Sequence, residues 1–330
     1  MKEIKWGIIG AGRISTKFAT ALVGMDNTKL AAIASRNLDS AKEFATKFGI
    51  EKSYGSYEDL VNDPEIDVIY IGTPNTEHKR NAELCIKNKK AVLCEKPFAL
   101  NEKETKYLIE LAKENQVFLM EAMWTKFLPV TQKVKEWMET GKIGNVLKLD
   151  INFGFQTKFD ESSRLFNIDL AGGALLDVGV YPIAYSIFLM NQFPKEIRST
   201  AIVGQSGVDE QNAILFHFDN KVIATLSSAI TAKVGQDAVI IGDNGRIVVP
   251  NFWMADQAFL YNGDGNLLES FSEGARINGY EHEANEVNQC IMEGKIESDI
   301  VPLRDTLNII KIMDTLRCEW GIKYKQEIDS

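Results

Sequence analysis

Two groups of residues in this chain carry side chains that can move protons. The first is the triplet Glu95-Lys96-Pro97 after the apolar run AVLC, and the second is the pair Asp177 and Tyr181 within GGALLDVGVYP. A phenol has a pKa of about 10, and a nearby ammonium lowers that pKa because it stabilises the phenolate. A lysine and a tyrosine held together can therefore exchange a proton with the oxygen of an alcohol or a carbonyl.

The residues before Lys96 indicate how it is presented. The run AVLCE predicts a buried strand, so Lys96 stands at the strand's carboxyl end, and Pro97 fixes the turn that follows. The Lys96-Pro97 bond is a candidate cis peptide. A lysine at this edge can reach a cofactor ribose and a substrate oxygen, although by itself a lysine at the end of a strand is more often a solvated residue.

The residues around Tyr181 predict a helix that begins after a glycine turn. Gly172 and Gly173 permit the turn, and Asp177 and Tyr181, four residues apart, project from one face of the helix. Asp177 can then hold either Lys96 or a substrate hydroxyl.

A glycine turn near the start of the chain predicts a nucleotide site. In WGIIGAGRIS, Gly10 permits a tight turn after a strand, and Gly12 lets the backbone approach a pyrophosphate at the start of the next helix, beside Arg13 and Ile14. Ser15 stands where the dinucleotide fingerprint has its third glycine. The position between a strand and a helix favours a dinucleotide over an ordinary turn.

The end of the second predicted strand bears on the choice of cofactor. NAD is usually recognised there by a carboxylate that binds the ribose 2′-hydroxyl, whereas this strand ends AIASRN and has no acid before Asp39. Ser35 can hydrogen-bond a 2′-phosphate, and Arg36 can pair with it and stack on the adenine. NADP(H) is therefore the preferred cofactor, and NAD(H) remains possible.

The next strand ends in IGTPNTEH at the same edge of the predicted sheet. Thr73, Pro74 and Asn75 stand where ligands bind in open α/β sheets, although Asn75 can also cap the following helix. His78 is either a neighbour of the cofactor or a surface or capping residue. Glu95 and Lys96, one strand further on, complete the predicted cofactor set.

Three further residues are candidates for binding substrate, and two of them have an ordinary structural alternative. Trp124 can stack on a sugar or an aromatic diol, or it can be a core tryptophan. Arg164 can bind substrate hydroxyls or a carboxylate, or it can be a surface ion-pair partner. Phe153 is the third candidate.

The overall composition excludes several classes of function. The net charge of −9 disfavours binding to nucleic acid or to an anionic membrane. The start MKEIKWGIIGAG does not read as a secretory signal, and the four cysteines lack CxxC spacing, so we expect a cytoplasmic protein with free thiols. Three widely spaced histidines predict no metal site.

The order of predicted elements indicates an α/β protein with two domains. Short apolar runs alternate with helical stretches up to about residue 122, which predicts a doubly wound parallel sheet of the Rossmann type over residues 1–122. Residues 123–330 predict an α+β domain with a large, mostly antiparallel, open-faced sheet, because alternating segments are separated by hairpin turns at 219–220, 242–245 and 262–265. Helices are expected over 129–140 and in the two closing segments.

The motifs together resemble the Gfo/Idh/MocA family along the whole chain. They are GIIGAGRIS, TPNTEH, CEKP, EAMWTKFLP and GGALLDVGVYP, and the branch resembled is that of dimeric dihydrodiol dehydrogenase and the glucose-fructose oxidoreductase-like sugar dehydrogenases. The resemblance implies an NAD(P)-dependent dehydrogenase or reductase that moves a hydride between nicotinamide and a secondary alcohol or its carbonyl. It implies Lys96 and Tyr181 as the catalytic pair, Asp177 as their helper, and a homodimer formed through the C-terminal sheet.

The expected substrate is a small molecule: a sugar, a polyol or a trans-dihydrodiol. Members of the inositol dehydrogenase type have histidine in place of Tyr181, which disfavours inositol. Two other functions remain open at this point: a nonenzymatic NADP(H)-binding redox regulator, which has no need of Lys96 and Tyr181, and a glycosidase-like enzyme that retains its NAD.

Overall fold

A computed structural model describes residues 3–328, which divide into two compact units. The first unit comprises the chain up to Trp124 together with Arg276–Lys311, and the second comprises Thr125–Ala275 and the chain from Ile312. Residues 276–311 thus belong by their contacts to the first unit, although they follow the second in sequence. The division of roles at residue 122 stays a prediction.

The first unit is built on a parallel six-stranded sheet in the order β3-β2-β1-β4-β5-β6. Strands β1, β4 and β5 are apolar and fully buried or nearly so, as expected for a parallel sheet covered on both faces. The six strands are β1 Ile4–Ile9, β2 Thr28–Ala34, β3 Lys52–Tyr54, β4 Val68–Ile71, β5 Ala91–Glu95 and β6 Leu119–Ala122.

Helices connect these strands, and side chains cap most of their N-termini. The Asn37 side chain accepts from two backbone N–H groups at the start of the second helix, and Asn101 does the same for one N–H of the fifth. The helices are α1 Arg13–Val23, α2 Leu38–Phe48, α3 Tyr57–Val61, α4 His78–Lys87 and α5 Glu102–Asn115, with α8 Tyr280–Met292 and the first part of α9 Leu303–Glu319 added from the end of the chain.

The second unit contains an eight-stranded sheet in the order β14-β13-β12-β11-β7-β10-β9-β8. All neighbouring pairs are antiparallel except β7 with β10, which run parallel in the middle of the sheet. The strands are β7 Val146–Gly154, β8 Glu196–Val203, β9 Asp209–His217, β10 Ile223–Ala229, β11 Ala238–Gly242, β12 Gly245–Val249, β13 Gln257–Asn262 and β14 Leu267–Ser272.

One face of this sheet is covered by a buried helix. The helices of the second unit are α6 Pro129–Glu139, α7 Val180–Met190 and α10 Lys325–Ile328, with the last part of α9. The helical stretch Ile168–Met190 is apolar and long enough to span a membrane, but 89% of its most apolar window is buried inside the protein. It is therefore the core helix of this unit.

The predicted fold class is confirmed, and the strands that were not predicted lie at sheet edges. The hairpin turns at 219–220, 242–245 and 262–265 each separate neighbouring strands, and the helix expected over 129–140 spans Pro129–Glu139. Strands β3, β8 and β14 were missed. Their residues are mostly half-buried or exposed, so they lack the apolar pattern by which a strand is recognised in sequence.

Candidate active site

The glycine turn between β1 and α1 has the backbone that was expected. Gly10 has a φ of +97°, and a Cβ at this position would lie 2.9 Å from the carbonyl oxygen of Gly72 at the end of β4. Gly10 also donates its N–H to the Ala34 carbonyl at the end of β2. The turn thus requires glycine, and it lies where the ends of three strands meet.

The start of α1 is open for an anion. Gly12 is its N-cap in an extended conformation with no side-chain capping bond, and a Cβ on Gly12 would lie 3.9 Å from the Gly72 carbonyl oxygen, which is ordinary van der Waals contact. Helix α1 therefore presents backbone N–H groups that no side chain caps, at the positive end of the helix dipole. Ser15, at the place of the third glycine, is fully buried, and its hydroxyl packs where a Cβ of Gly72 would stand. These features fit a dinucleotide pyrophosphate.

Ser35 and Arg36 directly follow β2, as predicted. Ser35 is half-buried and Arg36 is exposed. The Ser35 hydroxyl accepts from the Asn37 N–H at 3.4 Å, and Asn37 caps α2. Both side chains are thus at the sheet edge that carries the glycine turn.

His78 is buried, which excludes the surface position considered for it. Its Nδ1 lies 2.9 Å from the Pro97 carbonyl oxygen, and its Nε2 lies 2.9 Å from the Thr73 carbonyl oxygen. Burial lowers the pKa of this imidazole, although both backbone contacts oppose the shift. His78 therefore links the loop after β4 to the turn after Lys96. Pro74 is exposed, and Thr73 and Asn75 are half-buried.

Lys96 stands at the end of β5, and its backbone is held by acids. The Lys96-Pro97 peptide is cis. Glu95 Oε2 accepts from the Lys96 N–H at 3.2 Å, and Glu95 Oε1 accepts from the Tyr70 hydroxyl at 2.5 Å. Burial raises the pKa of Glu95, and the bond from Tyr70 and the charge of Lys96 oppose the shift.

A second acid holds the far side of the same turn. Glu121 Oε1 accepts from the Phe98 N–H at 3.1 Å, and its Oε2 accepts from the Thr306 hydroxyl at 3.0 Å. Lys96 and Pro97 thus lie between two buried glutamates, Glu95 and Glu121, that bind the backbone on either side.

Helix α8 contributes a buried carboxyl to the same unit. Glu283 is fully buried, and neither of its oxygens has a hydrogen-bond partner among residues 3–328. Burial, and then the charge of Glu95, raise its pKa. Tyr280 from this helix stacks on Trp124, with ring centroids 4.4 Å apart, and Trp124 is only 3% exposed. Neither Glu283 nor Tyr280 was predicted as a site residue, because nothing in the sequence places α8 near Glu95 or Trp124.

The glycine turn of the second unit leads directly into the helix of Tyr181. Gly173 has a φ of +117°, and a Cβ on Gly172 would lie 2.6 Å from the Leu165 carbonyl oxygen. Residues Leu175–Gly179 form a π-helical turn that continues into α7. Such turns are rare and frequently occur at functional sites.

Asp177 pairs with Arg164 in this unit. Arg164 Nη1 donates to Asp177 Oδ1 at 2.7 Å, with the arginine side chain 64% exposed and the aspartate side chain 14% exposed. Two residues proposed from separate segments of the sequence are thus in direct contact.

Tyr181 belongs to an aromatic group with Phe153 and Trp253. The Tyr181 ring centroid lies 5.4 Å from that of Phe153 and 6.2 Å from that of Trp253, and Phe153 and Trp253 stack at 4.9 Å. The Trp253 indole N–H donates to Gln236 Oε1 at 2.9 Å, which fixes its ring. Phe153 is a residue that the sequence predicted for this site, whereas Trp253 is not, because only the folded sheet brings residues 253 and 181 together.

No group of three or more histidine, cysteine or carboxylate side chains suited to a metal ion occurs within residues 3–328. The roles of the individual site residues remain predictions.

Comparison with known proteins gives matches along the whole chain. A family model described as "Oxidoreductase family, NAD-binding Rossmann fold" matches residues 4–123, and another described as "GFO/IDH/MocA C-terminal domain" matches residues 131–248. Trans-1,2-dihydrobenzene-1,2-diol dehydrogenase of Xenopus laevis is 36% identical over 97% of this chain and 99% of its own length. The Homo sapiens protein of that name is 31% identical over 98% and 99%.

Solved structures share the fold at lower identity. Levoglucosan dehydrogenase in complex with NADH and L-sorbose has a TM-score of 0.87 at 22% identity, covering 96% of each chain. A mutant of KijD10, a 3-ketoreductase from Actinomadura kijaniata in complex with TDP-benzene and NADP, has a TM-score of 0.85 at 24% identity, covering 96% of this chain and 98% of its own. At these identities the likeness shows the fold alone.

Proposed function

Because this chain belongs to the GFO/IDH/MocA oxidoreductase family and is an NAD(P)-dependent dehydrogenase, we propose that it oxidises the secondary alcohol of a trans-dihydrodiol. A sugar or a polyol is the second candidate substrate. The family resemblance and the enzyme class predicted from the motifs are confirmed by the comparisons.

One observation carries the choice of a diol. Tyr181, the predicted proton carrier, packs beside the stacked rings of Phe153 and Trp253, and Asp177, which pairs with Arg164, lies four residues earlier on the same helical segment. A flat cyclic diol has an apolar face for aromatic rings and hydroxyls for polar groups. The full-length relatives named for a dihydrodiol support the same choice.

The sugar candidate rests on the ion pair. Arg164 is largely exposed, and with Asp177 it offers both hydrogen-bond donors and acceptors to a polyhydroxylated ring.

Lys96 and Tyr181 are the proposed acid-base pair. In the oxidation direction, Tyr181 accepts the hydroxyl proton, and in reduction it returns that proton to the carbonyl oxygen. Lys96 polarises the same oxygen and favours the phenolate of Tyr181. The nicotinamide, when bound, accepts or supplies the hydride. Asp177 holds Arg164 and orients it toward the second hydroxyl of the substrate.

NADP(H) is the proposed cofactor. No side chain caps the N-terminus of α1, and Gly10 and Gly12 leave room for a ligand there, which supports pyrophosphate binding beside Arg13 and Ile14. The exposed Arg36 and the half-buried Ser35 support recognition of a 2′-phosphate. The proposed cofactor set is completed by residues at the ends of β4 and β5: Thr73, Pro74, Asn75, His78, Glu95 and Lys96. Trp124 remains a proposed substrate contact.

We also propose a cytoplasmic homodimer that forms through the eight-stranded sheet. On the face of this sheet opposite the core, several apolar side chains are exposed or half-exposed. They form cross-strand neighbours, since Val248 pairs with both Val239 and Phe259. Leu215 and Ile223, on the adjoining strands β9 and β10, are 46% and 47% exposed. A face of this kind is typical of a subunit interface.

The test is an absorbance assay of NADP+ reduction with trans-dihydrobenzenediol, sugars and inositols. We expect the diol to be oxidised fastest. The Tyr181→Phe variant should lose about 10²- to 10⁴-fold in kcat. Tyr107→Phe, which removes an exposed phenol in the first unit, serves as the matched control and should retain normal turnover. Absence of turnover with every alcohol, or an unimpaired Tyr181→Phe variant, would contradict the proposal.

A further inference from the structure

A buried carboxylate lies at the start of the helical segment that bears Tyr181. Asp209, the first residue of β9, is 1% exposed. Its Oδ2 accepts from the Leu175 N–H at 2.8 Å and from Asn212 Nδ2 at 2.8 Å. Leu175 opens the π-helical turn, where backbone N–H groups lack partners within the helix and a negative charge is favoured.

The other oxygen of Asp209 explains the second glycine of the Gly172-Gly173 turn. A Cβ on Gly173 would collide with Asp209 Oδ1, so this carboxylate fits only against a glycine. Oδ1 has no hydrogen-bond partner among residues 3–328. Asp209 and the turn are therefore fitted to each other.

A chain of polar side chains continues from Asp209 along the helix. Asn212 Oδ1 accepts from the Ser228 hydroxyl at 2.8 Å. The Ser228 hydroxyl in turn lies 2.8 Å from where a Cβ of Gly179 would stand. These hydrogen-bonded side chains thus contact the helical segment at Leu175, before Asp177, and again at Gly179, two residues before Tyr181.

The same turn also holds the loop of Arg164. The N–H of Gly173 donates to the Leu165 carbonyl at 2.9 Å, and the N–H of Gly172 donates to the Asn167 carbonyl at 3.0 Å. The Tyr324 hydroxyl donates to the Gly172 carbonyl at 3.2 Å. A shift of the turn would therefore move the Arg164 loop together with the helix.

We propose that Asp209 is a positioning residue for Tyr181, and that its ionised form holds the helical segment 173–181 in the geometry needed for proton transfer. An ionised carboxylate makes stronger hydrogen bonds to Leu175 and Asn212 than a neutral acid does. The catalytic consequence rests on the proposed function of Tyr181, whereas the structural consequence does not.

The proposal gives the reaction a pH dependence. Burial raises the pKa of Asp209 to about 7, and the bonds from Asn212 and Leu175 oppose the shift. The charged and titratable groups that face it are Arg317, which favours the ionised form, and Tyr324. Below pH of about 7, Asp209 becomes neutral, and kcat should fall.

Stability should change with pH in the opposite direction. The pKa of Asp209 is raised in the folded state, so the folded chain binds the proton more tightly than the unfolded chain. The contribution of Asp209 to stability is greatest below the ordinary pKa of aspartate and is lost as the pH rises through about 7. The ionised, active form is thus the less stable one.

The first test is hydrogen exchange of the full chain at pH 8, which needs no enzyme activity. In Asp209→Asn, we expect the amides of residues 172–182 to exchange at least severalfold faster than in the natural protein, while those of residues 91–100 are unchanged. Asp243→Asn is the matched control, because Asp243 also accepts one backbone N–H and one amide N–H, both from Asn145, but is exposed. It should leave residues 172–182 unchanged.

The second test is kinetic, between pH 5.5 and 9. In Asp209→Asn, we expect kcat to fall about tenfold at pH 8, with the KM for NADP+ unchanged and the break near pH 7 lost. In Asn212→Ala, the break should move to higher pH, because a bond that favours the ionised form is removed.

The outcomes separate this proposal from the proposed function. Unchanged exchange of residues 172–182 in Asp209→Asn, faster exchange throughout the chain, or a pH break retained in that variant would overturn the positioning role. A natural protein that oxidises no alcohol would overturn the proposed function, and the exchange experiment would still decide the role of Asp209.

Discussion

The Tyr70 hydroxyl donates a hydrogen bond of 2.5 Å to Glu95 Oε1, and thereby fixes the acid that precedes Lys96. Tyr70 is fully buried, and its ring stacks on Phe18 from α1 at 3.9 Å. The strand end that presents Lys96 is thus supported by the helix that begins at the glycine turn. Nucleotide binding and the placement of the lysine depend on the same packed layer.

Replacing Glu283 should stabilise the protein at high pH. Burial raises the pKa of Glu283, so the folded state binds the proton more tightly, and stability falls as the pH rises above the ordinary value of glutamate. Glu283→Gln should therefore raise the free energy of unfolding by about 1–3 kcal/mol at pH 8 and by less at pH 5. Denaturant unfolding at both pH values measures this. The control is Glu110→Gln on the exposed face of α5, which should leave the free energy of unfolding unchanged at both pH values. An equal effect of Glu283→Gln at pH 5 and pH 8 would show that the charge of Glu283 is not the cause.

Removing the Arg36 side chain should weaken the binding of NADP+ more than the binding of NAD+. The side chain is exposed at the end of β2, where only NADP+ places a phosphate. A charge-assisted contact of this kind is worth about 1.5–3 kcal/mol, so Arg36→Ala should raise the Kd for NADP+ by about 10- to 100-fold and leave that for NAD+ nearly unchanged. Fluorescence titration with NADPH and NADH, which differ by the same 2′-phosphate, measures the corresponding pair of dissociation constants. Lys42→Ala on α2 is the control, and an equal loss for both cofactors would argue against recognition of the 2′-phosphate.

A charge on the open face of the second sheet should dissociate the proposed dimer. Sedimentation of the natural protein should give twice the chain mass of 36.9 kDa. Ile223→Asp, which places a charge on an exposed position of β10, should give the mass of one chain without loss of helical signal, because the opposite face of the strand holds the core. Thr46→Asp, which places a charge on the exposed face of α2 in the first unit, is the control and should leave the sedimenting mass unchanged. A natural protein that sediments as one chain would contradict the proposed interface.

The motifs predicted the local parts of the site well, because each depends on a few adjacent residues. Gly10 and Gly173 have positive φ, the Lys96-Pro97 bond is cis, and Tyr181 stands on a helix, as the sequence indicated. Such features follow from residue type and turn geometry.

Contacts between distant segments were not predictable in the same way. Several such contacts join positions far apart in sequence. Trp253 lies beside Tyr181, Asp209 lies against Gly173, and Glu283 belongs to the first unit although it follows the second in sequence. The parallel pairing of β7 with β10 is a further case, since periodicity predicts strands but not their order. The edge strands were missed because a half-exposed strand has little apolar pattern.

The most direct test of the account is a double-mutant cycle of Lys96→Met and Tyr181→Phe, with kcat/KM measured for oxidation of trans-dihydrobenzenediol by NADP+. Each single change should cost about 10²- to 10⁴-fold, and the double variant should be little worse than the poorer single one, because both side chains act on one oxygen. Cofactor affinity should fall much less than kcat/KM in each variant, and Lys103→Met should match the natural enzyme. Losses that multiply in the double variant would show that the two residues act independently and would contradict the account.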